Sequence, residues 1–183
     1  RDTAQRLLIE RADPAAIRLL ATFFPRATSA QGKLHAAWTL QRLGGCGPGI
    51  IEQMLGDEHS QVRRHGVRLA AMLPAADQAQ IHPLVSSLAA DPDAAVRFEL
   101  ALALASRHDD RAAAATKKSL QKIASRDYAD RWIGEAVLAG PHLLSVIEAV
   151  ASGKAWQGPL ESAQMEFLVR AGRRLSALDA AQS

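Results

Sequence analysis

Apolar residues recur three and four positions apart along most of the chain, and each run ends at a turn signal. Over residues 1–11, Ala4, Leu7 and Leu8 fall on one stripe, which predicts a helix with those side chains inward. Asp13 followed by Pro14 reads as an N-cap with proline in the first helical position, opening a helix over 14–24. Thr28 or Ser29 caps the next, which runs to Leu43 and stops at Gly44-Gly45-Cys46-Gly47-Pro48-Gly49. A short helix over 49–55 carries Ile50, Ile51, Met54 and Leu55; further helices follow over 59–73, 76–90, 92–107, 110–125, 128–139 and 142–152. A last helix over 160–178 places Phe167, Leu168, Ala171, Leu175 and Leu178 on one stripe. No segment alternates long enough for a strand, so the expectation is an all-α chain of about ten helices in antiparallel pairs. In domain terms this is an array over 1–152, a loop over 153–159, and a terminal helix within 160–183 that continues or caps the array.

The pattern also repeats at long range. Asp57-Glu58-His59-Ser60-Gln61-Val62-Arg63 returns as Asp91-Pro92-Asp93-Ala94-Ala95-Val96-Arg97, and more loosely from Asp127 through Trp132 to Ala139. A fainter copy surrounds Leu34-His35-Ala36-Ala37-Trp38. With Gly32, Val62, Val96 and Trp132 equivalent, the steps are 30, 34 and 36 residues. A period of this size marks an α-solenoid, whose units bury their apolar faces only against each other. The expected core is Leu7, Leu20, Leu40, Leu55, Val62, Leu69, Leu84, Leu88, Val96, Leu100, Ala136 and Ile147, with Trp132 packed in place of the repeat valine.

Composition narrows the function classes. Aromatic residues are 4% of the chain, and no apolar run reaches the roughly 18 residues of a membrane span, so no membrane insertion is expected. One cysteine, Cys46, leaves no internal disulfide and no multi-cysteine metal site, and reads as an incidental loop residue. The chain begins at Arg1, not methionine, and reads as an internal fragment. Net charge is +3: residues 1–110 balance at 12 basic and 12 acidic, and the excess falls in Arg111, Lys117, Lys118, Lys122 and Arg126. That run reads as a solvated outer helix face.

The pattern Asp-x-x-x-x-Val-Arg resembles the HEAT repeat, whereas the Trp/Leu-Gly/Tyr set of tetratricopeptide units and the Thr-Pro-Leu-His of ankyrin units are missing. The resemblance implies that the aspartate caps the second helix of a unit and that the arginine reaches the aspartate of an adjacent unit. Those roles go to Asp57 with Arg63 and to Asp91 with Arg97. The next unit departs from the pattern, with Ile133 in the arginine position and Arg131 as the substitute; the unit near Thr28 has Lys33 but no aspartate. The order of phrases over about 1–140 is similar to the HEAT region of exported planctomycete-type dehydrogenase-like proteins, which place a β-propeller before the array and a c-type haem domain after it. This implies a connector in a periplasmic or secreted protein whose partners are neighbouring domains of a parent chain. The sequence has no Cys-x-x-Cys-His, phosphate loop, zincin or nucleophile-elbow motif, so no cofactor is expected on this chain.

In such an array the second helices line one face, so equivalent positions form rows. One row reads Thr3, His35, His65, Glu99, Glu135; its neighbours read Arg6, Trp38, Arg68, Leu102, Leu138 and Asp2, Leu34, Arg64, Phe98, Gly134. The candidate binding surface is therefore Arg6, Leu34, His35, Trp38, Arg64, His65, Arg68, Phe98, Glu99 and Glu135, basic and aromatic at one end, apolar to acidic at the other. Histidines on helix axes about 10 Å apart do not converge on one metal ion, and no nucleophile stands beside them. Trp38 between Arg6 and Arg68 has the composition of a binding hot spot, while the plainer reading is a rim-exposed packing residue. The leading expectation is a non-catalytic scaffold that binds protein. The alternative is a nucleic-acid cradle, similar to alkylpurine DNA glycosylases, with Arg6, Lys33, Arg64, Arg68 and Arg97 on phosphates and Trp38 near a base. A bilin-lyase-like enzyme is a third class without a distinguishing residue. Apolar side chains at both ends (Leu7, Leu8; Phe167, Leu175, Leu178) predict self-association.

Overall fold

Residues 2–11, 13–106, 113–153 and 156–182 are described by the computed structural model of the chain. Among them there is no strand and there are eleven α-helices: α1 Asp2–Arg11, α2 Pro14–Phe23, α3 Ala30–Arg42, α4 Pro48–Leu55, α5 Ser60–Ala70, α6 Ala75–Ser87, α7 Ala94–Ala105, α8 Ala113–Asp127, α9 Arg131–Leu138, α10 Leu143–Ala151 and α11 Ser162–Gln182. The all-α expectation holds in this form. The predicted start of α8 at 110, and Arg111 with it, lie outside the described residues.

Local chemistry sets the helix starts. Asp13 accepts from Ala15 N at 2.8 Å, Ser29 Oγ from Gly32 N at 3.1 Å, and Asp93 from Ala95 N at 2.8 Å. Asp130 accepts from both Trp132 N and Ile133 N at 2.8 and 2.9 Å. Each satisfies a first-turn N–H that no helical carbonyl can reach. Asp57 and Asp91 do not cap, contrary to expectation. Their carboxylates accept the N–H two residues on, from His59 and Asp93 at 2.9 Å each, and so shape the turn that delivers the N-cap, which is His59 or Asp93.

The chain forms two compact units, Arg1–Val85 and Ser86–Ser183. In the first, α3 lies between α1 and α5, α2 packs on α3, and α4 packs on α5. Its core holds Phe24, Leu40, Ile51, Met54, Leu55, Val62 and Leu69, all essentially without solvent contact. The α4–α5 approach needs Gly66, where a Cβ would stand 2.9 Å from Met54 Cβ. In the second unit, α9 lies between α7 and α11; α8 and α10 pack on each other and both touch α9. Leu100, Leu104, Leu120, Ile123, Leu138, Val146 and Phe167 fill that core. Trp156 makes edge contacts with Tyr128 and Phe167, centroids 5.0 and 6.0 Å away, and so ties its loop to α11.

Several expected core positions are open instead. Leu7 is 42% exposed because α1 turns Gln5, Leu8 and Ile9 toward its neighbour. Leu84 is exposed, and Leu20 and Ile147 are only partly covered. Trp132 is 68% exposed, and Ile133 is the buried residue. The N-caps explain this: Val62, Val96 and Ile133 each stand three residues after His59, Asp93 and Asp130, so the third step is 37 residues and not 36.

Candidate functional site

The described ion pairs show what the repeated basic position does. Lys33 Nζ reaches Asp57 Oδ2 at 2.5 Å, 24 residues on, and Arg97 forks onto both oxygens of Asp127 at 2.6 and 2.7 Å, 30 residues on. Arg97 also donates Nη1 to the carbonyls of Asp91 and Pro92 at 2.6 and 3.0 Å. Arg63 does the same to Asp57 and Glu58 at 2.8 and 3.0 Å. The basic side chain thus grips its own preceding turn through carbonyl oxygens, and Lys33 and Arg97 each take a carboxylate one turn further along the chain. The bidentate bond with Asp127 pushes the Arg97 pKa still higher, against burial, which lowers it.

In the third copy the register shift puts Gly134, not Ile133, at the basic position. The space a Cβ would take there is filled by the Arg170 guanidinium at 3.1–3.2 Å. Arg170 comes from α11 and donates to the carbonyls of Tyr128 and Arg131 at 3.0 Å each. Arg131, the expected substitute, lies instead over the exposed Trp132 ring at 5.8 Å. Sequence reasoning missed Arg170, since nothing in the local phrase points to a helix 39 residues away.

Seven of the candidate surface residues come together on α1, α3 and α5 of the first unit: Arg6, Leu34, His35, Trp38, Arg64, His65 and Arg68. Leu34, His35, Trp38, Arg64, His65 and Arg68 are all half-buried, and Arg6 is exposed. The helices are tied by polar bonds across this face. Gln5 Oε1 lies 3.0 Å from His35 Nδ1, and since an amide oxygen only accepts, Nδ1 carries the proton. Trp38 Nε1 donates to His65 Nδ1 at 3.1 Å, which places the neutral-ring proton of His65 on Nε2. The two rings meet edge to face, centroids 5.8 Å apart at 87°. Arg6 pairs with Glu10 on its own helix at 3.5 Å.

Two recesses open on this face and share Gln5. One, of about 180 Å³, is lined by Gln5, Leu34, His35 and Trp38. The other, of about 390 Å³, is lined by Gln5, Arg6, Ile9, Glu10 and Arg42. Gln5, Ile9 and Arg42 were absent from the sequence-derived surface because the row was set on Thr3, two residues from the side chain that meets His35.

The remaining candidates belong to the second unit. Phe98 is half-buried, and Glu135 is partly open with Arg174 Nε at 4.0 Å. Glu99 is 7% exposed, not on an open face as expected. Within this unit α7 is contacted by α8, α9 and the turn Leu88–Ala90, which leaves Leu102 as its most open large side chain. No cluster of three or more His, Cys, Asp or Glu side chains suits a metal ion among the described residues. Cys46 is buried, which pushes its thiol up to about 11 and keeps it a protonated, inert packing residue. No described helix is long and apolar enough to cross a membrane. The chain matches no family model, no curated protein and no solved structure.

Proposed function

We propose that this chain is a non-catalytic helical-repeat scaffold of the HEAT type, an α-solenoid segment that binds protein or neighbouring domains of a parent chain through the α1–α3–α5 face. The observation that carries the reading is that face itself. Leu34, His35, Trp38 and His65 stay half-open on it, with His35 tied to Gln5 and Trp38 to His65. A side chain fixed in this way loses little entropy on binding, which suits a preorganised contact surface better than a solvated one. The HEAT resemblance draws support from Lys33 on Asp57 and Arg97 on Asp127, since both run from the repeated basic position to a later aspartate. A parent of the exported dehydrogenase type, with the connector role and periplasmic or secreted setting that implies, rests on the order of sequence phrases alone.

A photo-crosslinking residue placed at Leu34 or Arg64 tests the reading against one placed at Lys117 on α8. Discrete protein adducts from the first two positions and none from the third are expected; adducts independent of position would refute it.

Nucleic-acid binding is the second reading, favoured by the charge of the first unit, where residues 1–85 hold ten basic and seven acidic side chains. Within the arginine-lysine set assigned to phosphates, Lys33 pairs with Asp57, the 4%-exposed Arg97 with Asp127, and Arg6 with Glu10. Duplex binding that weakens steeply with salt would favour this reading.

A further inference from the structure

The twin recess between α1 and α3 has a chemistry of its own. Its smaller half is an apolar-aromatic slot between Leu34 and Trp38, with the His35 ring locked by Gln5. With Gln5 Oε1 occupied by His35, the amide Nε2 of Gln5, which lines both halves, remains as a donor. The larger half is lined by two exposed cations, Arg6 and Arg42, together with Ile9 and Glu10. Arg6 already has Glu10 beside it; Arg42 has no ion-pair partner among the described residues. The unit that bears the recess carries the chain's whole net charge, ten basic against seven acidic side chains over residues 1–85.

We propose that this recess binds an extended acidic peptide, with an apolar side chain entering beside Trp38 and a neighbouring carboxylate meeting Arg42. The proposal rests on the scaffold reading above and names the partner's chemistry. Gln5 Nε2 donates to a peptide carbonyl, and the Glu10 carboxylate accepts a peptide N–H, so both polar groups of a backbone find a counterpart on the rim. Glu10 also decides against a nucleic-acid strand. A phosphate backbone carries a charge at every step and meets Glu10 unfavourably, whereas a peptide can place its acid at Arg42 and its amide at Glu10. Exposed charges supply mainly encounter rate and register, and the aromatic slot supplies most of the retention.

Fluorescence anisotropy on the full chain tests this with three labelled probes: a short peptide of one leucine flanked by glutamates, its lysine-flanked counterpart, and an oligothymidylate of equal charge. The acidic peptide is expected to bind and the lysine peptide is not. Trp38→Ala should weaken binding about tenfold or more and Arg42→Ala about threefold, with Trp38→Phe intermediate and Lys122→Ala on α8 without effect. Circular dichroism of each variant separates lost binding from lost folding. Equal affinity for the lysine peptide, indifference to Arg42→Ala, or tighter binding of the oligothymidylate would each overturn the assignment. A selection from a random peptide library separates the two levels of the argument. Trp38-dependent peptides without acids would sink the acidic specificity and leave the scaffold reading standing; no Trp38-dependent peptide at all would sink both.

Discussion

Asp57 shows how much one carboxylate is asked to hold. Burial pushes its pKa up, but hydrogen bonds from Lys33, the His59 N–H and the His59 ring outweigh that and hold it below the ordinary 3.8. A depressed folded-state value stabilises the fold above the unfolded value, and that stability is lost as pH falls through the folded one. Urea titrations at about pH 5 and about pH 3 should therefore show a larger loss for the wild type than for Asp57→Asn; equal losses would mean the carboxylate is not linked to folding. Gly140 makes a steric prediction. A Cβ there would lie 2.5 Å from the Ala105 carbonyl oxygen and 2.8 Å from Ala105 Cα, both backbone atoms that cannot swing away. Gly140→Ala should cost about 1–3 kcal/mol by urea denaturation, as overpacking does. Neither residue's partners were legible in advance. Asp57 stood out through the repeat, but Lys33 was read as belonging to a unit without an aspartate and as a phosphate contact, not as the cation of Asp57. Gly140 carried no signal, because close approach of two backbones leaves no mark on side-chain periodicity.

Helix starts were legible at the element scale because capping is local: Asp13, Ser29 and Pro14 announce themselves within a few residues. The register of α9 was not. Counting from phrase to phrase put Trp132 in the core; counting from the N-cap Asp130 puts Ile133 there. The same shift leads to a prediction about α9 and α11. Arg170→Ala should destabilise by leaving the Tyr128 and Arg131 carbonyls short of a donor, and Gly134→Arg alone should clash with the Arg170 guanidinium. Combined, the two substitutions put a new guanidinium on α9 at the position Arg97 holds on α7, and the pair should recover part of the loss. A double-mutant cycle is expected to give a favourable coupling of about 0.5–3 kcal/mol; additivity would mean the two positions do not share the site. Removing Arg97 itself is the harsher test, since Asp127 would be left largely buried and unpaired: Arg97→Ala should cost about 3–5 kcal/mol by urea denaturation.

Whole-molecule properties follow from how charge and apolar surface are shared out. Sequence counting placed the basic excess after residue 110, yet division at Val85 moves five acids and two bases, from Asp91 to Asp110, into the second unit and leaves the excess in the first. Only contacts reveal where a unit ends, so composition assigned the charge to the wrong part. Leu19 and Phe23 on α2, and Met165, Val169 and Leu178 on α11, are half-open or more. Sedimentation velocity should show concentration-dependent association, reduced by Met165→Lys with Val169→Lys; a single monomeric boundary at every loading would show that the α11 patch is simply hydrated. The reach of Arg170 has one more consequence, in the order of events during synthesis. Tyr128 leaves the peptidyl-transferase centre 42 residues before the arginine that will hold its carbonyl. At a ribosomal pace of about 5–20 residues per second, that turn waits roughly 2–8 s for its donor. In the nascent second unit this turn is therefore completed last, and a stall or early release before Arg170 is added yields a chain whose α9 turn lacks its latch.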